Sequence, residues 1–316
     1  MYQLKQEPED FVVREVANHS FSSGGYSVCK IIKRNYTTIR ALEQISKALG
    51  IRLKDIGFAG TKDKRAVTEQ HISIKNVNKE KIAQTKLKDI TIEFLGYMDK
   101  PISLGDLDGN EFDITIRDLR KKEVEILVAK AGKKLLVPNF FGEQRITPSN
   151  IVIGKAIVLQ DLKKAVDLIL KSNPDYKSSM EEHLDKRPCD FVGALKLIPL
   201  RLLCMYGRAY QSYLWNLTLE KLMKKGVEDI PMIGFDTDVC DKATMKVIER
   251  LMESEKVNFR TFINRKIPEL TLEGGIRKAF VEVRDFKILE KGKDFVKVKF
   301  FLPKGSYATE AIKFLV

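Results

Sequence analysis

Strand-like alternation at both ends of this chain encloses a long middle stretch with helical spacing. Apolar and polar residues alternate in five segments, at residues 67–74, 90–97 and 111–117 and, from residue 280 onward, in FVEVRDFKIL and DFVKVKFFL. A period of two predicts strands, and the charged turn around Gly292 predicts that the last two segments form a hairpin. The pattern therefore predicts an α+β fold. We expect the C-terminal hairpin to complete a sheet that the N-terminal half begins.

Helical spacing dominates the middle of the chain and also occurs in the N-terminal half. The predicted helices cover residues 35–50, 121–137, 199–226 and 243–255. Residues from about 158 to 281 are mainly helical, which predicts an inserted domain. We therefore predict two domains. Residues 1–157 and 282–316 together form one domain, and residues 158–281 form the insertion.

The net charge of the chain is +13, from 56 lysine and arginine residues against 43 aspartate and glutamate residues. This balance is typical of proteins that contact polyanions, nucleic acids above all. The four cysteines, Cys29, Cys189, Cys204 and Cys240, and the three histidines show no metal-ligand spacing. We therefore expect neither a metal site nor a disulfide framework, and we favour a reducing compartment.

The N-terminus and the most apolar stretch argue against a membrane role. The first ten residues, MYQLKQEPED, lack the apolar core of a secretory signal. Residues 191–206 are interrupted by Lys196, Pro199 and Arg201 and are shorter than the roughly 20 apolar residues that a membrane helix needs. We expect a cytoplasmic protein.

The segment GFAGTKDKRAVTEQ, residues 57–70, carries the most specific chemistry of the chain. It places a single carboxylate, Asp63, among three cations, Lys62, Lys64 and Arg65. Nearby positive charges favour an ionised carboxylate, which can then act as a nucleophile. Taken alone, the string is also typical of a solvated surface turn. Its spacing excludes a phosphate-binding P-loop, which needs four residues between its glycines and Ser or Thr after the lysine.

Five segments in the same order resemble the TruD family of tRNA pseudouridine synthases, in the archaeal type with a short insertion domain. They are residues 57–70, LKQEPEDFVVREV (4–16), LDGNEF (107–112), PNFFGEQRI (138–146) and FLPKGSYATE (301–310). The resemblance implies a pseudouridine synthase catalytic domain with a mixed or antiparallel sheet, interrupted by a mainly helical TRUD insertion domain. It also implies an isomerase that converts a uridine of tRNA, uridine 13 in the family, to pseudouridine without a cofactor or metal.

The resemblance assigns the nucleophile to Asp63. A nucleophilic carboxylate in a pocket closed by a base needs a fixed cation beside it, because burial alone favours the protonated form. Lys5 matches the family's lysine at that place. Lys62 and Arg65 are alternative partners of the carboxylate, or supporting residues.

Further matches predict a pocket for the flipped uridine. Asn139 and Phe141 match the family's active-site Asn and Phe, and Phe11 and Tyr307 are expected to line the same pocket. Tyr307 is a departure, because the family often has Phe there. Stacking on an aromatic ring is worth about 1 to 3 kcal/mol per base and helps offset the cost of unstacking the uridine. At least one of Phe140 and Phe141 is expected to be core.

Two other groups of residues have a structural and a functional interpretation. Gln144 and Arg145 would bind phosphate or support their loop, and support is the prediction. The aromatic residues of RAYQSYLWN, residues 208–216, recur at helical spacing and are predicted to be core rather than an RNA platform.

Two other function classes remain open. A non-catalytic basic tRNA- or RNA-binding protein on the same fold would explain the charge, but it would gain nothing from a buried anion that faces a polyanionic ligand. A metal-dependent nuclease would need a carboxylate cluster, which the sequence does not suggest. We expect tRNA as the partner of the chain, no protein partner and a monomer.

Overall fold

The structure, a computed structural model, describes residues 2–238 and 241–316. The chain forms two compact units. The first unit extends to Val137 and resumes at Val281, and the second unit comprises Pro138–Phe280. The first division thus lies at residue 137, whereas the sequence interpretation placed it at 157, because the helix Pro148–Val158 packs into the apolar cores of the second unit. Cys240, one of the cysteines considered above, lies outside the described residues.

The N-terminal part of the first unit is built mainly of strands. They are β1 (Phe11–Val16), β2 (Tyr26–Arg34), β3 (Ile56–Phe58), β4 (Val67–Lys75), β5 (Ile90–Met98), β6 (Gly109–Ile116) and β7 (Leu135–Pro138). Its helices are α1 (Thr38–Leu49), α2 (Lys79–Gln84) and α3 (Lys121–Lys130). The three strands and the first helix predicted for this part of the chain are confirmed.

Helix α1 has the start, the stop and the apolar face that its sequence predicts. Thr37 Oγ1 accepts a hydrogen bond from the Arg40 N–H at 3.3 Å, and Gly50 ends the helix with a φ of 62°. Such a cap and a left-handed glycine are typical helix boundaries. Leu42 and Ile45 are buried in a core shared with β2 and β4. The helix therefore packs on β4, the strand that follows the Asp63 loop, and on its neighbour β2.

The second unit is mainly helical. Its elements are α4 (Pro148–Val158), α5 (Leu162–Ser172), α6 (Lys177–Lys186), α7 (Phe191–Lys196), α8 (Leu200–Leu222), β8 (Asp229–Met232), α9 (Lys242–Glu255) and β9 (Gly275–Lys278). The two long helices were predicted, whereas the antiparallel ribbon of β8 and β9 was not. Three aromatic residues of α8, Tyr206, Tyr210 and Trp215, are buried in the core, as predicted, and Tyr213 is partly buried against it. Among the described residues, no helix is both long and apolar enough to cross a membrane.

The C-terminal segment returns to the first unit as β10 (Phe280–Lys291), β11 (Val296–Pro303) and α10 (Ala308–Leu315). Strand β11 pairs antiparallel with β6, from Val296 opposite Ile116 to Pro303 opposite Gly109. The sheet order is β5-β2-β4-β1-β6-β11-β10-β7, with β3 paired to β4. Because β1 and β4 are parallel while the pairs β2–β4 and β1–β6 are antiparallel, the sheet is mixed. The hairpin therefore completes the N-terminal sheet, as predicted.

One predicted helix is shorter than expected. The helix predicted for residues 121–137 ends at Lys130, and β7 occupies the end of that range. Gly132 has a φ of 71°, and its N–H donates to the Phe286 carbonyl at 3.1 Å. The prediction was wrong there because β7 adds to β10 at the edge of the sheet. Pairing with a neighbouring strand outweighs local helical spacing.

Candidate active site

The loop that carries Asp63 connects β3 to β4, and buried side chains fix its backbone. Thr38 Oγ1 accepts a hydrogen bond from the Lys62 N–H at 2.9 Å and donates one to Gln70 Oε1 at 2.9 Å. Gln70 Nε2 in turn donates to the Gly60 carbonyl at 3.3 Å. Thr38 and Gln70 are both buried, and hydrogen bonds in such surroundings are stronger than in water. The loop is therefore anchored to α1 and β4, unlike a solvated turn.

Lys5 is paired with Asp63, as the resemblance implies. Its Nζ lies 3.2 Å from Asp63 Oδ1, and the two side chains are 15% and 22% exposed. The same Nζ lies 4.0 Å from the centroid of the Phe11 ring. Phe11 is buried and packs edge-on against Phe112. A cation over an aromatic face gains additional attraction, so the ammonium group is held between a ring and the carboxylate. The structure thus brings Lys5, Phe11 and Asp63 together.

The segment that carries Lys5 is fixed to the sheet on both sides of this residue. Gln3 and Arg117 exchange backbone hydrogen bonds of 2.8 and 3.0 Å, and Arg117 Nη2 donates to Asp10 Oδ1 at 2.6 Å. Burial opposes ionisation of Asp10, but Arg117 and the Glu7 N–H outweigh it and hold the pKa of the Asp10 carboxyl below its usual value. Lys5 itself has a φ of 59°. A left-handed lysine is uncommon and persists where its surroundings determine it.

Two of the cations near Asp63 in the sequence, Lys62 and Arg65, bind other groups. Lys62 Nζ donates to the buried carboxylate of Glu15 on β1, which also accepts the His71 N–H at 3.1 Å. Arg65 Nη2 donates to the Gln6 carbonyl at 2.7 Å. Both contacts join the Asp63 loop to β1 or to the segment around Lys5. This geometry matches supporting residues.

Tyr307 lies in the first unit, immediately before α10. Its carbonyl accepts the Ala311 N–H at 3.0 Å, and its side chain is partly buried. The preceding turn contains Gly305 with a φ of 80°, a conformation that glycine adopts without a steric penalty. Lys304 Nζ ties this turn to the Gly105 carbonyl at 3.0 Å. The turn from β11 to α10 therefore fixes the place of Tyr307.

In the second unit, Asn139 is bound to Arg277 of β9. Arg277 Nη2 donates to both Asn139 Oδ1 and the Asn139 carbonyl, at 2.7 and 2.8 Å, and Arg277 Nε donates to that carbonyl at 3.2 Å. Asn139 Nδ2 donates to the Lys278 carbonyl at 3.1 Å. The buried amide is thus oriented by β9, and its oxygen already accepts a hydrogen bond.

Phe141 lies in an aromatic and cationic cluster next to Asn139. The guanidinium carbon of Arg277 is 4.1 Å from the centroid of the Phe141 ring, and that of Arg145 is 4.9 Å away. Trp215 contacts the ring edge-on at 5.4 Å. Asn216 of α8 donates to the Phe141 carbonyl and accepts its N–H, at 3.0 and 2.9 Å. Phe141 is only 7% exposed, so it contributes to the core of the second unit.

Arg145 and Gln144 differ in their surroundings. Arg145 Nε donates to Ser212 Oγ on α8 at 2.7 Å, whereas Gln144 is exposed. The Arg145 contact ties this side chain to α8.

Three residues near the predicted site were missed by the sequence interpretation. Lys33 Nζ donates to the Asp63 carbonyl at 3.0 Å, Glu15 binds Lys62, and Arg277 binds Asn139. The sequence gave one signal for Lys33. Every second residue of β2 from Cys29 onward is buried, and Lys33 follows Cys29 and Ile31 in that series. Glu15 and Arg277 gave no signal, since their partners are distant in the sequence. Among the described residues, no group of three or more His, Cys, Asp or Glu side chains has the arrangement of a metal site.

Comparison with known proteins gives consistent matches over almost the whole chain. The family model of tRNA pseudouridine synthase D (TruD) matches residues 2–179, 170–230 and 228–313. A probable tRNA pseudouridine synthase D of Methanosarcina barkeri is 30% identical over 403 aligned positions, which cover 98% of this chain and 92% of the relative. The tRNA pseudouridine synthase D of Aquifex aeolicus is 27% identical, with 97% and 96% covered.

A solved structure shows the same fold. The crystal structure of a Methanosarcina mazei protein assigned to tRNA pseudouridine synthase D (TruD) superposes with a TM-score of 0.72 at 28% identity, covering 98% of this chain and 92% of that one. The chain therefore belongs to the TruD family. The resemblance inferred from five segments and the α+β fold class are both confirmed.

Proposed function

We propose that this chain isomerises uridine 13 of tRNA to pseudouridine, with Asp63 as the nucleophile. Membership of the TruD family gives the enzyme class, a tRNA pseudouridine synthase, which is an isomerase. The observation that supports the nucleophile is the ion pair of Asp63 with Lys5 on a loop whose backbone is anchored by buried side chains. The alternative of a non-catalytic binding protein gives no reason for that pair.

The proposed chemistry needs an ionised carboxylate in a site that the substrate closes. Formation of pseudouridine breaks the bond from N1 to C1′, turns the uracil, and joins C5 to C1′. C5 then loses its proton to solvent and N1 gains one, so the product is an isomer of the substrate. Asp63 would attack the ribose or the base, and the bond it forms would break again before the product leaves. Exclusion of water by the bound uridine favours the protonated acid, and the adjacent Lys5 ammonium favours the carboxylate. No net oxidation or reduction occurs, so we propose a reaction without cofactor or metal.

The remaining predicted site residues are proposed to bind the substrate. In the first unit, Phe11 and Tyr307 are proposed to bind the uridine. In the second unit, Asn139 and Phe141 are proposed as substrate-binding residues. Arg277 already covers part of the Phe141 ring and binds Asn139. A base that reaches Phe141 would therefore meet its guanidinium as well, and guanidinium planes also stack on bases.

Other proposals concern the setting of the reaction. We propose that Lys62 and Arg145 support the site and that Arg65 and Gln144 support it or contact RNA. We also propose that most of the second unit is the TRUD insertion domain, which the sequence predicted at residues 158–281. The net charge of +13 suits tRNA as the partner. We also propose a monomer without a protein partner, active in the cytoplasm.

The target is tested by mapping the product. Unmodified tRNA transcripts are incubated with the protein and pseudouridine is located by carbodiimide modification and reverse transcription, with a transcript carrying cytidine at position 13 as control. We expect a stop at position 13 alone, and none in the control transcript. A stop elsewhere would contradict the target, and tight binding without any stop would favour the non-catalytic binding protein.

A further inference from the structure

Lys33, the last lysine of β2, is a fully buried ammonium group with no part in the chemistry described so far. Its side chain is 0% exposed. Its Nζ donates to two backbone carbonyls, that of Tyr36 at 2.5 Å and that of Asp63 at 3.0 Å. Tyr36 precedes α1 and Asp63 precedes β4, so one side chain joins these two segments at the proposed nucleophile.

Burial of this ammonium group is unfavourable unless hydrogen bonds and opposite charge compensate for it. Burial lowers the pKa of Lys33 to about 8, while the negative charge of Asp63 opposes the shift and the positive charge of Lys62 adds to it. Lys62 in turn is paired with Glu15 of β1. An apolar side chain of similar length would avoid the cost, so packing alone gives no reason for a lysine here.

We infer that Lys33 is a positioning residue for the nucleophile: it fixes the backbone of Asp63 through the carbonyl and places a second positive charge near the carboxylate. The inference rests on the proposed function of Asp63. Lys5 reaches the carboxylate from the N-terminal segment, whereas Lys33 acts from the interior of the sheet. Because a displacement of about 1 Å at a reacting group can cost on the order of a hundredfold in rate, loss of Lys33 should slow the chemical step.

Lys130 of α3 is a matched control. Its Nζ also donates to two backbone carbonyls, those of Phe314 at 3.2 Å and Leu315 at 2.6 Å, and burial also lowers its pKa. These contacts hold the end of α10. Lys130→Met therefore removes the same kind of support as Lys33→Met. The carbonyls that lose their donor belong to the end of α10, however, and not to the Asp63 loop.

The test compares single-turnover rates and tRNA dissociation constants for wild type, Lys33→Met and Lys130→Met. We expect Lys33→Met to lower the single-turnover rate at least about tenfold, with tRNA affinity unchanged within about twofold, because the interaction acts in the chemical step. Lys130→Met should keep the rate of wild type. Equal rates for the two variants would overturn the inference. An inactive wild type would instead refute the proposed function, and the inference with it.

The pH profile of wild type gives a second readout that does not depend on a Lys33 variant that folds. Loss of the Lys33 charge should slow single turnover between pH 7 and pH 9 in wild type and in Lys130→Met alike. In a folded Lys33→Met protein this fall should be absent. A wild-type rate that stays level across this range would overturn the electrostatic part of the inference, since a purely structural lysine would still donate hydrogen bonds as a neutral amine.

Discussion

Replacing Lys33 by methionine should abolish a pH dependence of folding stability in the first unit. Burial lowers the pKa of Lys33 from an ordinary value of 10.5 to about 8. Between these values the unfolded chain binds a proton on this side chain that the folded chain does not, so the free energy of unfolding rises with pH. One unit of pKa corresponds to about 1.4 kcal/mol. The whole shift therefore corresponds to about 3 kcal/mol.

The sign and the window follow from the two pKa values. Below pH 7 the lysine is protonated in both states and the full cost of burial is present, whereas above pH 10.5 the cost has disappeared. Wild type should therefore gain roughly 2 to 3 kcal/mol from this group between pH 7 and pH 10. Lys33→Met lacks the gain. Its stability at pH 7 should stay close to that of wild type, because removal of the buried charge offsets the two carbonyls left without a donor.

The assay is urea denaturation of wild type, Lys33→Met and the exposed control Lys54→Met, repeated from pH 7 to pH 10. Far-UV circular dichroism follows the whole chain. Fluorescence of the single tryptophan, Trp215, separately follows the second unit, in which this residue is buried. The difference between wild type and Lys33→Met should grow with pH, while that between wild type and Lys54→Met stays level. A level difference for Lys33→Met, or one that shrinks with pH, would refute the reasoning.

Three further predictions follow from the site. Lys5→Met should lower the single-turnover rate about a hundredfold with little change in tRNA affinity by filter binding, because it removes the cation 3.2 Å from Asp63; an unchanged rate would contradict the role of the pair. Arg277→Lys should destabilise the second unit by about 1 to 3 kcal/mol, because one ammonium group cannot replace the guanidinium hydrogen bonds to Asn139. Trp215 fluorescence in urea measures this change, and unchanged stability would contradict the importance of these hydrogen bonds. Raising salt from 50 to 200 mM should weaken tRNA binding on the order of a thousandfold if about 6 to 10 phosphates are bound; a salt-independent affinity would show that charge is not what binds the tRNA.

Five strands of the large sheet, β4, β5, β6, β10 and β11, were predictable because their own sequences alternate between apolar and polar residues. The alternation gives β6 and β11 one polar and one apolar face each, and their antiparallel pairing places the apolar faces in one core. Strands β1, β2, β3, β7, β8 and β9 were not predicted. Four of them, β3, β7, β8 and β9, have only three or four residues, too few for a period of two to stand out. What defines these strands is a partner that is distant in the chain.

The candidate site was predictable only where a motif carried it. Asp63 and Lys5 were assigned from the resemblance, and the structure places them in contact. The sequence could not rank Lys5 against Lys62 and Arg65, because their partners, Glu15 and the Gln6 carbonyl, are set by tertiary packing.

The central claim, that Asp63 is the nucleophile of a pseudouridine synthase, is tested most directly by release of tritium from tRNA labelled at C5 of uridine. Wild type and Asp63→Asn are compared without added metal and with a chelator present. Asp55→Asn is the control, because it makes the same substitution at a carboxylate that is also paired with a cation, Arg52. We predict release by wild type and by Asp55→Asn, and none by folded Asp63→Asn that still binds tRNA. Release by Asp63→Asn at the wild-type rate, or none by wild type on any tRNA that it binds, would contradict the account.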